Sequence, residues 1–333
     1  MEEKETLTIA DVAEALGVSK TTVSRAISGK GRIGKETREK VLAFIEEHNF
    51  KPNMIAKGLA KSKTYNICVV MPRDYEMVDW NFFQTCLFGI QERAQMAEYD
   101  ILLTMCRMDD ISSLERIIDD HKVDGVILMR TVLKDIQIEF MLQKTIPFVT
   151  IGSSNYKGVV QMDHNHRSAC RDLTLGILKK GVKRIALIGE DDGYIVTQSR
   201  LSGYFDAFVK MDRKVEDKLL FLSPENHLSV DKSVEGALAE GVECILCMDD
   251  SVTRRVLKVL RESKVSVPSD VWVASFFDST ILADNVPSIT SLSFDSKELG
   301  MEACRVLLDM IEGVTVAERT LLPYEVVWKG STI

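Results

Sequence analysis

The chain has 333 residues, of which 45% are hydrophobic and 28% charged, with 42 basic against 50 acidic side chains. This composition is typical of a globular protein large enough for two or three domains. No stretch approaches the roughly 18 uncharged apolar residues that a membrane span needs, and the seven cysteines are an odd, scattered set unlike a disulfide framework. A secreted or membrane protein is therefore disfavoured, and we expect a cytoplasmic one.

Charge is divided unevenly along the chain. Residues 17–63 contain eleven Lys or Arg and four acids, for a net charge of +7, whereas the first sixteen residues carry −4 and the remainder from residue 64 carries −11. A basic segment ahead of an acidic body is typical of a polyanion-binding head joined to a domain with another task. Charge alone leaves a merely solvated N-terminus as an equal alternative.

The basic head has the pattern of a helix-turn-helix. Thr8 can cap a short helix whose apolar residues recur at helical spacing, and Gly17 can end it. Ser19 can cap a second helix, whose predicted inward residues are Val23, Ala26 and Ile27. A third helix over about residues 35–48 is predicted to bury Val41, Leu42, Phe44 and Ile45. Two helices joined in this way place the N-terminal half of the second in a DNA major groove.

The head resembles the lactose-repressor (LacI/GalR) family of transcription regulators. The resemblance is carried by residues 8–29, 35–41 and 50–59, which follow the family pattern almost residue for residue, and it continues more loosely to the C-terminus. It implies double-stranded operator DNA as the partner. The residues that it implies for reading bases are Lys20, Thr21 and Arg25, and those that it implies near phosphates are Ser19, Thr22, Ser24 and Asn53.

Residues 51–65 form the predicted hinge helix and linker between a helix-turn-helix domain, residues 1–50, and a body, residues 66–333. The hinge is only two helical turns, too short to be stable alone in water. The resemblance implies that it folds when two copies meet over the operator's minor groove, where Leu59 wedges between base pairs and Ala56 joins the DNA-binding set. The alternative for Leu59 is an apolar linker residue packed on the body.

Short β-rich runs alternate with amphipathic helices throughout the body, which predicts an α/β fold with parallel sheets covered by helices. The predicted strands are residues 67–71, 101–105, 125–129, 148–151, 184–188, 219–222, 244–247 and 271–274. Two such sets indicate two lobes with a cleft at the carboxyl ends of the strands. The resemblance implies a periplasmic-binding-protein-like body with crossovers near Met162 and Phe294, after which the last helix and strand return to the first lobe.

The body lacks the motifs of enzymes and cofactor-binding proteins. The turn after the first strand, residues 70–75, has no glycine, and no Walker A loop, nucleophile elbow or zincin helix occurs. The pairs Cys244/Cys247 and His164/His166 lack further ligands at metal-binding spacing. We therefore expect no enzyme, cofactor or metal, two buried structural thiols, and two histidines at the cleft edge or surface.

The family's effector pocket is matched in part. The effector-binding residues that the resemblance implies are Trp80, Phe82, Phe83, Asp163, Arg200, Met248, Asp249, Phe277 and Asp278. The fork of Arg200 can grip two hydroxyls, a carboxylate or a phosphate, and the alternative is an ion pair between the lobes. Met248 stands where the family commonly has Asn, and Phe277 where it has a carboxylate. These departures disfavour a standard neutral sugar and leave open a less polar or anionic ligand, or none.

Together these features predict a sequence-specific DNA-binding transcription regulator, a repressor that binds a near-palindromic operator as a homodimer under control of a sugar-like small molecule. No heptad helix follows residues 324–333, so a tetramer held by a C-terminal tail is not expected. The alternative is a DNA-binding regulator whose body no longer senses a small molecule and responds to a protein partner. An enzyme with a basic head is supported by no motif.

Overall fold

The computed structural model of the chain describes residues 7–28, 31–48, 62–73, 80–189, 193–222 and 228–333, and only the backbone of residues 28, 80, 228 and 229. The chain forms two compact units, Met1–Thr64 and Tyr65–Ile333. Most of the predicted hinge lies outside the described residues, including Asn53, Ala56 and Leu59.

The N-terminal unit contains the predicted helix-turn-helix. Its helices are α1 (Ile9–Ala15), α2 (Lys20–Ser28) and α3 (Lys35–Glu47). Thr8 and Asp11 cap α1 reciprocally, because the Thr8 hydroxyl accepts from the Asp11 N–H while the Asp11 carboxylate accepts from the Thr8 N–H. Gly17 ends α1 in the left-handed region, at φ +63°. The turn between the first two helices therefore forms as the sequence predicts.

The core of this unit is a small apolar cluster shared by the three helices. Its buried residues are Val12, Ala13, Val23, Ala26 and Val41. Phe44 and Ile45 of α3 pack against it partly buried, as predicted. The prediction that Leu42 is buried is wrong, because its side chain is 43% exposed. Successive helical residues point about 100° apart, so Leu42 turns away when Val41 faces the core.

The first lobe of the C-terminal unit is built on a six-stranded parallel sheet in the order β11-β5-β4-β3-β1-β2. Its strands are β1 (Asn66–Pro72), β2 (Asp100–Cys106), β3 (Gly125–Leu128), β4 (Phe148–Ile151), β5 (Val160–His164) and β11 (Arg319–Leu322). Its helices are α4 (Trp80–Met96), α5 (Ser112–Asp119), α6 (Ile136–Met141) and α12 (Ser296–Ile311). Apolar clusters on both faces bury β1 and β3, as expected for parallel strands.

The second lobe is built on a six-stranded sheet in the order β12-β10-β9-β8-β6-β7, with only β12 antiparallel. Its strands are β6 (Ile185–Gly189), β7 (Leu220–Leu222), β8 (Cys244–Cys247), β9 (Trp272–Ser275), β10 (Thr290–Ser293) and β12 (Glu325–Val327). Its helices are α7 (His166–Lys179), α8 (Ile195–Lys210), α9 (Leu228–Ala239), α10 (Asp250–Glu262) and α11 (Thr280–Ala283). The predicted α/β class with two parallel-sheet lobes is confirmed.

The chain passes between the lobes three times. The first passage follows β5, the second follows β10, and the third joins β11 to β12. The last helix, α12, returns to the first lobe as the resemblance implies. The last strand, β12, does not, because it pairs with β10 in the second lobe, and it is β11 that returns to the first.

Two glycines fix the return of α12 to the first lobe. A Cβ at Gly300 would lie 2.0 Å from the carbonyl oxygen of Cys86, and one at Gly89 would lie 2.0 Å from that of Lys297. Helices α4 and α12 therefore approach backbone to backbone, which only glycine permits at these positions. Among the described residues, no helix is both long and apolar enough to cross a membrane.

Candidate DNA interface and effector cleft

Helix α2 carries the predicted base-reading residues. Its first turn is fixed by Ser19, whose hydroxyl accepts from the Thr22 N–H at 3.1 Å and lies 2.9 Å from the Thr22 hydroxyl. The two hydroxyls are therefore hydrogen-bonded to each other at the helix start. The first N–H groups of an α-helix have no partner within the helix, which suits contact with a phosphate.

One side of α2 is exposed and polar, and the other is buried. The exposed residues are Lys20, Thr21, Ser24 and Arg25, and Thr22 is half-buried. Val23 and Ala26 have less than 2% of their surface exposed. Because the buried pair fixes the rotation of the helix, the residues predicted to read bases face away from the core of the unit.

Arg25 lies against Gly31, which follows the second helix. Gly31 has φ +91°, and a Cβ there would lie 3.2 Å from both Cδ and Nε of Arg25. The missing side chain therefore leaves room for the aliphatic part of Arg25. Gly31 was not among the residues predicted for the DNA interface, although its place in a turn after α2 is a signal for a left-handed residue.

In the C-terminal unit, Asp163 is a buried carboxylate one residue before the end of β5. Its Oδ2 accepts from the Ser153 N–H at 2.8 Å and hydroxyl at 2.7 Å, while its Oδ1 accepts from the His164 N–H at 2.8 Å and lies 3.3 Å from His166 Nε2. Burial raises the pKa of Asp163, but His166 and the hydrogen bonds from Ser153 outweigh it and hold this pKa below its usual value. The carboxylate is engaged by its own lobe and by the first crossover.

Arg200 lies on α8 and is only partly satisfied. Its Nη1 donates to the backbone carbonyl of Met248 at 2.8 Å. Its Nε is buried and has no partner among the described atoms. Within the described residues Arg200 forms no ion pair between the lobes, the alternative raised for it by the sequence. One donor of the fork is thus unsatisfied, and an acceptor reaches it only if the surrounding side chains move, because the atom is buried.

Met248 and Asp249 follow β8, and the side chains of both make contacts within the protein that stabilise the fold. Met248 is buried against Gly189, where a Cβ would lie 2.1 Å from Met248 Cγ. The Asp249 carboxylate caps α10 by accepting from the Val252 N–H at 2.9 Å. Both residues lie at the carboxyl end of a strand, as predicted, but the Asp249 side chain has a local hydrogen-bond partner.

Asp278 is held by a lysine that the sequence analysis missed. Lys329 Nζ lies 2.9 Å from both carboxylate oxygens of Asp278 and 3.2 Å from the Ser291 hydroxyl. Lys329 follows the last strand, about fifty residues away in sequence, so no local pattern connects the pair. Phe277, the preceding residue, is half-buried, and its backbone is fixed by the Ser275 hydroxyl.

The aromatic residues predicted for the cleft separate into two groups. Phe82 is half-buried at the start of α4, and its ring centroid lies 6.2 Å from that of Phe277 at 78°. Phe83 is instead buried in the core of the first lobe. Trp80 begins α4, but its side chain lies outside the described structure. Thus Phe82 contacts both Phe277 and Phe83, and Phe83, whose ring centroid lies 5.2 Å from that of Phe82, belongs to the core of the first lobe.

The prediction that His164 and His166 lie at the cleft edge or surface is wrong, because they are only 2% and 8% exposed. Their rings pack on Phe294 with centroid distances of 5.0 and 4.7 Å. His164 Nδ1 lies 3.2 Å from the Pro323 carbonyl, to which it donates, while His164 Nε2 and His166 Nδ1 are buried without a partner among the described atoms. Burial, reinforced by His166, lowers the pKa of His164 to about 4.

The arrangement contains little that could hold a metal. Among the described residues, no group of three or more His, Cys, Asp or Glu side chains is placed to bind one. Cys244 and Cys247 are fully buried and belong to different apolar clusters, on opposite faces of β8. The thiols are therefore structural, as their strand spacing predicts.

Two family models match separate parts of the chain. A model of bacterial regulatory proteins of the lacI family matches residues 8–53, and a model of a periplasmic binding protein-like domain matches residues 177–332. Curated relatives match nearly end to end. Catabolite control protein A of Staphylococcus xylosus is 25% identical over 98% of this chain and 99% of its own length. The HTH-type transcriptional regulator MalR of Staphylococcus xylosus is 28% identical over 98% of each chain.

Solved structures share the fold. The lac repressor dimer bound to operator and the anti-inducer ONPF matches with a TM-score of 0.80 at 22% identity, over 99% of this chain and 100% of that chain. The complex of the transcriptional regulator CelR with cellobiose matches with a TM-score of 0.73 at 25% identity, over 98% of this chain and 99% of that chain. This chain and both solved structures therefore share the same order of a helical head followed by two α/β lobes.

Proposed function

Because the chain belongs to the lactose-repressor family of DNA-binding transcription regulators, we propose that it represses transcription as a homodimer bound to a near-palindromic operator. The observation that carries this proposal is the exposed face of α2. Lys20, Thr21 and Arg25 project from a capped helix whose opposite side is fixed in the core, the geometry that a recognition helix needs in a major groove. We place the protein in the cytoplasm, with the chromosomal DNA.

The domains that we propose are a DNA-binding head at residues 1–50, a hinge at 51–65, and an effector-binding and dimerisation body at 66–333. In this scheme Asn53, Ala56 and Leu59 contact the operator once two hinges meet, and Leu59 opens the central base step. A dimer places two heads one helical turn or more apart, so a palindromic site with a fixed half-site spacing is its expected footprint.

An apolar surface on the first lobe supports the homodimer. Leu103 and Met105 on the edge strand β2 are exposed, and by strand alternation they share a sheet face with Ile101, which packs toward α4 and α12. Phe88 on α4 is 57% exposed. Exposed apolar side chains beside an edge strand favour burial against a second copy of the chain.

We propose a small-molecule effector with one hydroxylated or anionic edge and one apolar face. The buried Nε of Arg200 offers a charged donor without a partner among the described atoms, and the rings of Phe82 and Phe277 are apolar. The carboxylates of Asp163, Asp249 and Asp278 are already bonded to protein groups. Simple hexoses, which depend on carboxylates to accept from their hydroxyls, are expected to bind poorly.

The operator is found by selecting bound DNA from a random pool. The proposal expects an inverted repeat, and enrichment of a single asymmetric half-site would contradict binding as a dimer. Substituting Arg25→Ala should then remove the preference at one base position in each half-site.

The effector is sought by calorimetry on the full chain with sugars, sugar phosphates and nucleosides. Binding that Arg200→Ala abolishes, while operator affinity without effector is unchanged, is the expected result. Tight binding of a plain hexose that Arg200→Ala leaves unaffected would overturn this assignment. Failure of every compound to raise the melting temperature would favour the alternative of a protein partner.

A further inference from the structure

A row of aromatic rings joins the two lobes. Phe82 of the first lobe meets Phe277 of the second edge to face, with ring centroids 6.2 Å apart. Phe277 in turn stacks on Phe294, which follows β10 at the second crossover, with centroids 6.1 Å apart and planes at 20°. Phe294 packs on His166 at the first crossover. The row therefore runs from one lobe through the other to the segments on which the lobes pivot.

A second contact between the lobes is made by the backbone. Val132, which follows β3, forms an antiparallel bridge with Tyr194, which precedes α8. The N–H of Leu133 donates to the Gly193 carbonyl at 3.2 Å. The Arg130 guanidinium lies 5.5 Å from the centre of the Tyr194 ring, within the range of a cation–π interaction. Hydrogen bonds and a buried ring contact thus cross the cleft at this point.

The segment of the first lobe that carries Val132 is ordered by hydrogen bonds within its own lobe. The carboxylate of Asp135, only 3% exposed, accepts from the N–H groups of Val132, Gln137 and Ile138 at 3.1 to 3.2 Å. The Asp135 N–H donates to the Tyr156 hydroxyl. A segment ordered by its own lobe loses little further entropy when it pairs with the other lobe.

We propose that the aromatic row and the backbone bridge together form an interlobe clasp, which closes the cleft through contacts of the protein with itself. Phe277 is the central element, because its ring contacts Phe82 of the first lobe on one side and Phe294 at the second crossover on the other. The Phe82–Phe277 contact and the Val132–Tyr194 bridge each have one member on each lobe, so opening the cleft breaks them. The clasp populates the closed form without an effector, and an effector shifts this population only by its different affinity for the two forms.

The aromatic contact sets the size of the expected effect. An aromatic pair contributes a coupling that corresponds to about a 2- to 13-fold change in an equilibrium constant. Substituting Phe277→Ala should therefore raise the ratio of open to closed molecules by about this factor, and Phe82→Ala should do the same from the other lobe. In the double variant, the ratio of open to closed molecules should exceed that of the more open single variant by no more than about twofold. The reason is that each substitution removes the same contact between Phe82 and Phe277.

The test measures the distance between the lobes in the full chain. All seven native cysteines are buried, so nitroxide labels attach selectively to cysteines introduced at the exposed positions Gln143 and Arg254, one on each lobe. Double electron–electron resonance then reports the distance distribution without DNA or effector. We expect one dominant short distance in the otherwise unmodified chain and an added longer one in Phe277→Ala and in Phe82→Ala.

Phe205→Ala is the matched control, because Phe205 is an aromatic residue of α8 whose ring contact is with Tyr204 of the same lobe. It should leave the distribution unchanged. If Phe277→Ala does not fold, Phe82→Ala tests the same contact from the other side. Identical distributions in the unmodified chain and in whichever of these variants fold would overturn the clasp, whatever the operator and effector experiments show.

Discussion

The imidazole of His164 should make the stability of the body depend on pH between about 4 and 6.5. The side chain is 2% exposed, with its Nδ1 bonded to the Pro323 carbonyl and its Nε2 buried without a partner among the described atoms. Burial, with His166 beside it, lowers the pKa of His164 from 6.5 to about 4. The folded state therefore keeps this ring neutral in a range where the unfolded chain protonates it.

The sign and size follow from proton linkage. Well above pH 6.5, for example at pH 8, neither state binds the proton, and the full stability is present. As pH falls from 6.5 toward 4, His164 becomes protonated in the unfolded state but stays neutral in the folded state, so the free energy of unfolding decreases. For a shift of this size the loss is about 2 kcal/mol between pH 8 and pH 5 and approaches about 3 kcal/mol near pH 4.

The assay compares urea unfolding of the unmodified chain and of His164→Asn at pH 8, 6.5, 5.5 and 5. Asparagine does not titrate, so the stability difference between the two proteins should shift by about 2 kcal/mol in favour of the variant as pH falls from 8 to 5. His121→Asn is the control, because His121 is exposed at φ 50°, which asparagine tolerates, and it should show no such shift. Parallel pH profiles for the unmodified chain and His164→Asn would refute the reasoning.

Three further substitutions test other parts of the structure. Arg25→Ala should lose roughly 1 to 3 kcal/mol of discrimination between operator and random DNA in anisotropy titrations, and an equal loss on both DNAs would contradict base reading. Gly300→Ala should destabilise the chain by roughly 1 to 3 kcal/mol in urea, because the new Cβ would lie 2.0 Å from a carbonyl oxygen. Lys329→Met should lower the free energy of unfolding in urea by roughly 2 to 3 kcal/mol, because it leaves the Asp278 carboxylate without its partner. The loss is smaller than for a fully buried pair, since Asp278 is 23% exposed, and adding Asp278→Asn should recover part of this stability.

The parts of the fold that depend on local pattern could be predicted. All eight predicted strands occur, with ends shifted by no more than one residue, because apolar runs in parallel strands are continuous. The strands that were missed are β5, β10, β11 and β12, which are shorter or more polar. In β10, Thr290 and Ser291 are fully buried, and Thr290 is satisfied by hydroxyls of Ser331 and Thr332 about forty residues away. A polar strand whose partners are so distant leaves no local signal.

The candidate sites divide in the same way. The exposed face of α2 was predictable, because the spacing of the apolar residues Val23, Ala26 and Ile27 fixes the rotation of the helix. The contacts of the cleft side chains could not be predicted, because their partners lie on segments that are distant in sequence and meet only when the chain crosses between the lobes. His164 illustrates this, since a strand-end histidine reads as a surface residue until the third crossover brings the Pro323 carbonyl to its ring. Lys329 likewise reaches Asp278 only through the last strand.

A carboxylate at a family position therefore identifies a place in the fold before it identifies a ligand contact. Asp249 caps a helix and Asp278 pairs with a lysine, so a ligand hydroxyl would have to compete with bonds that the protein already makes. The buried Nε of Arg200 has no such competitor among the described atoms, and satisfying it would return the free energy that its desolvation costs. Selectivity in this cleft is thus expected to come from the acceptor that reaches Arg200 and from whether the ligand's other face tolerates Phe277.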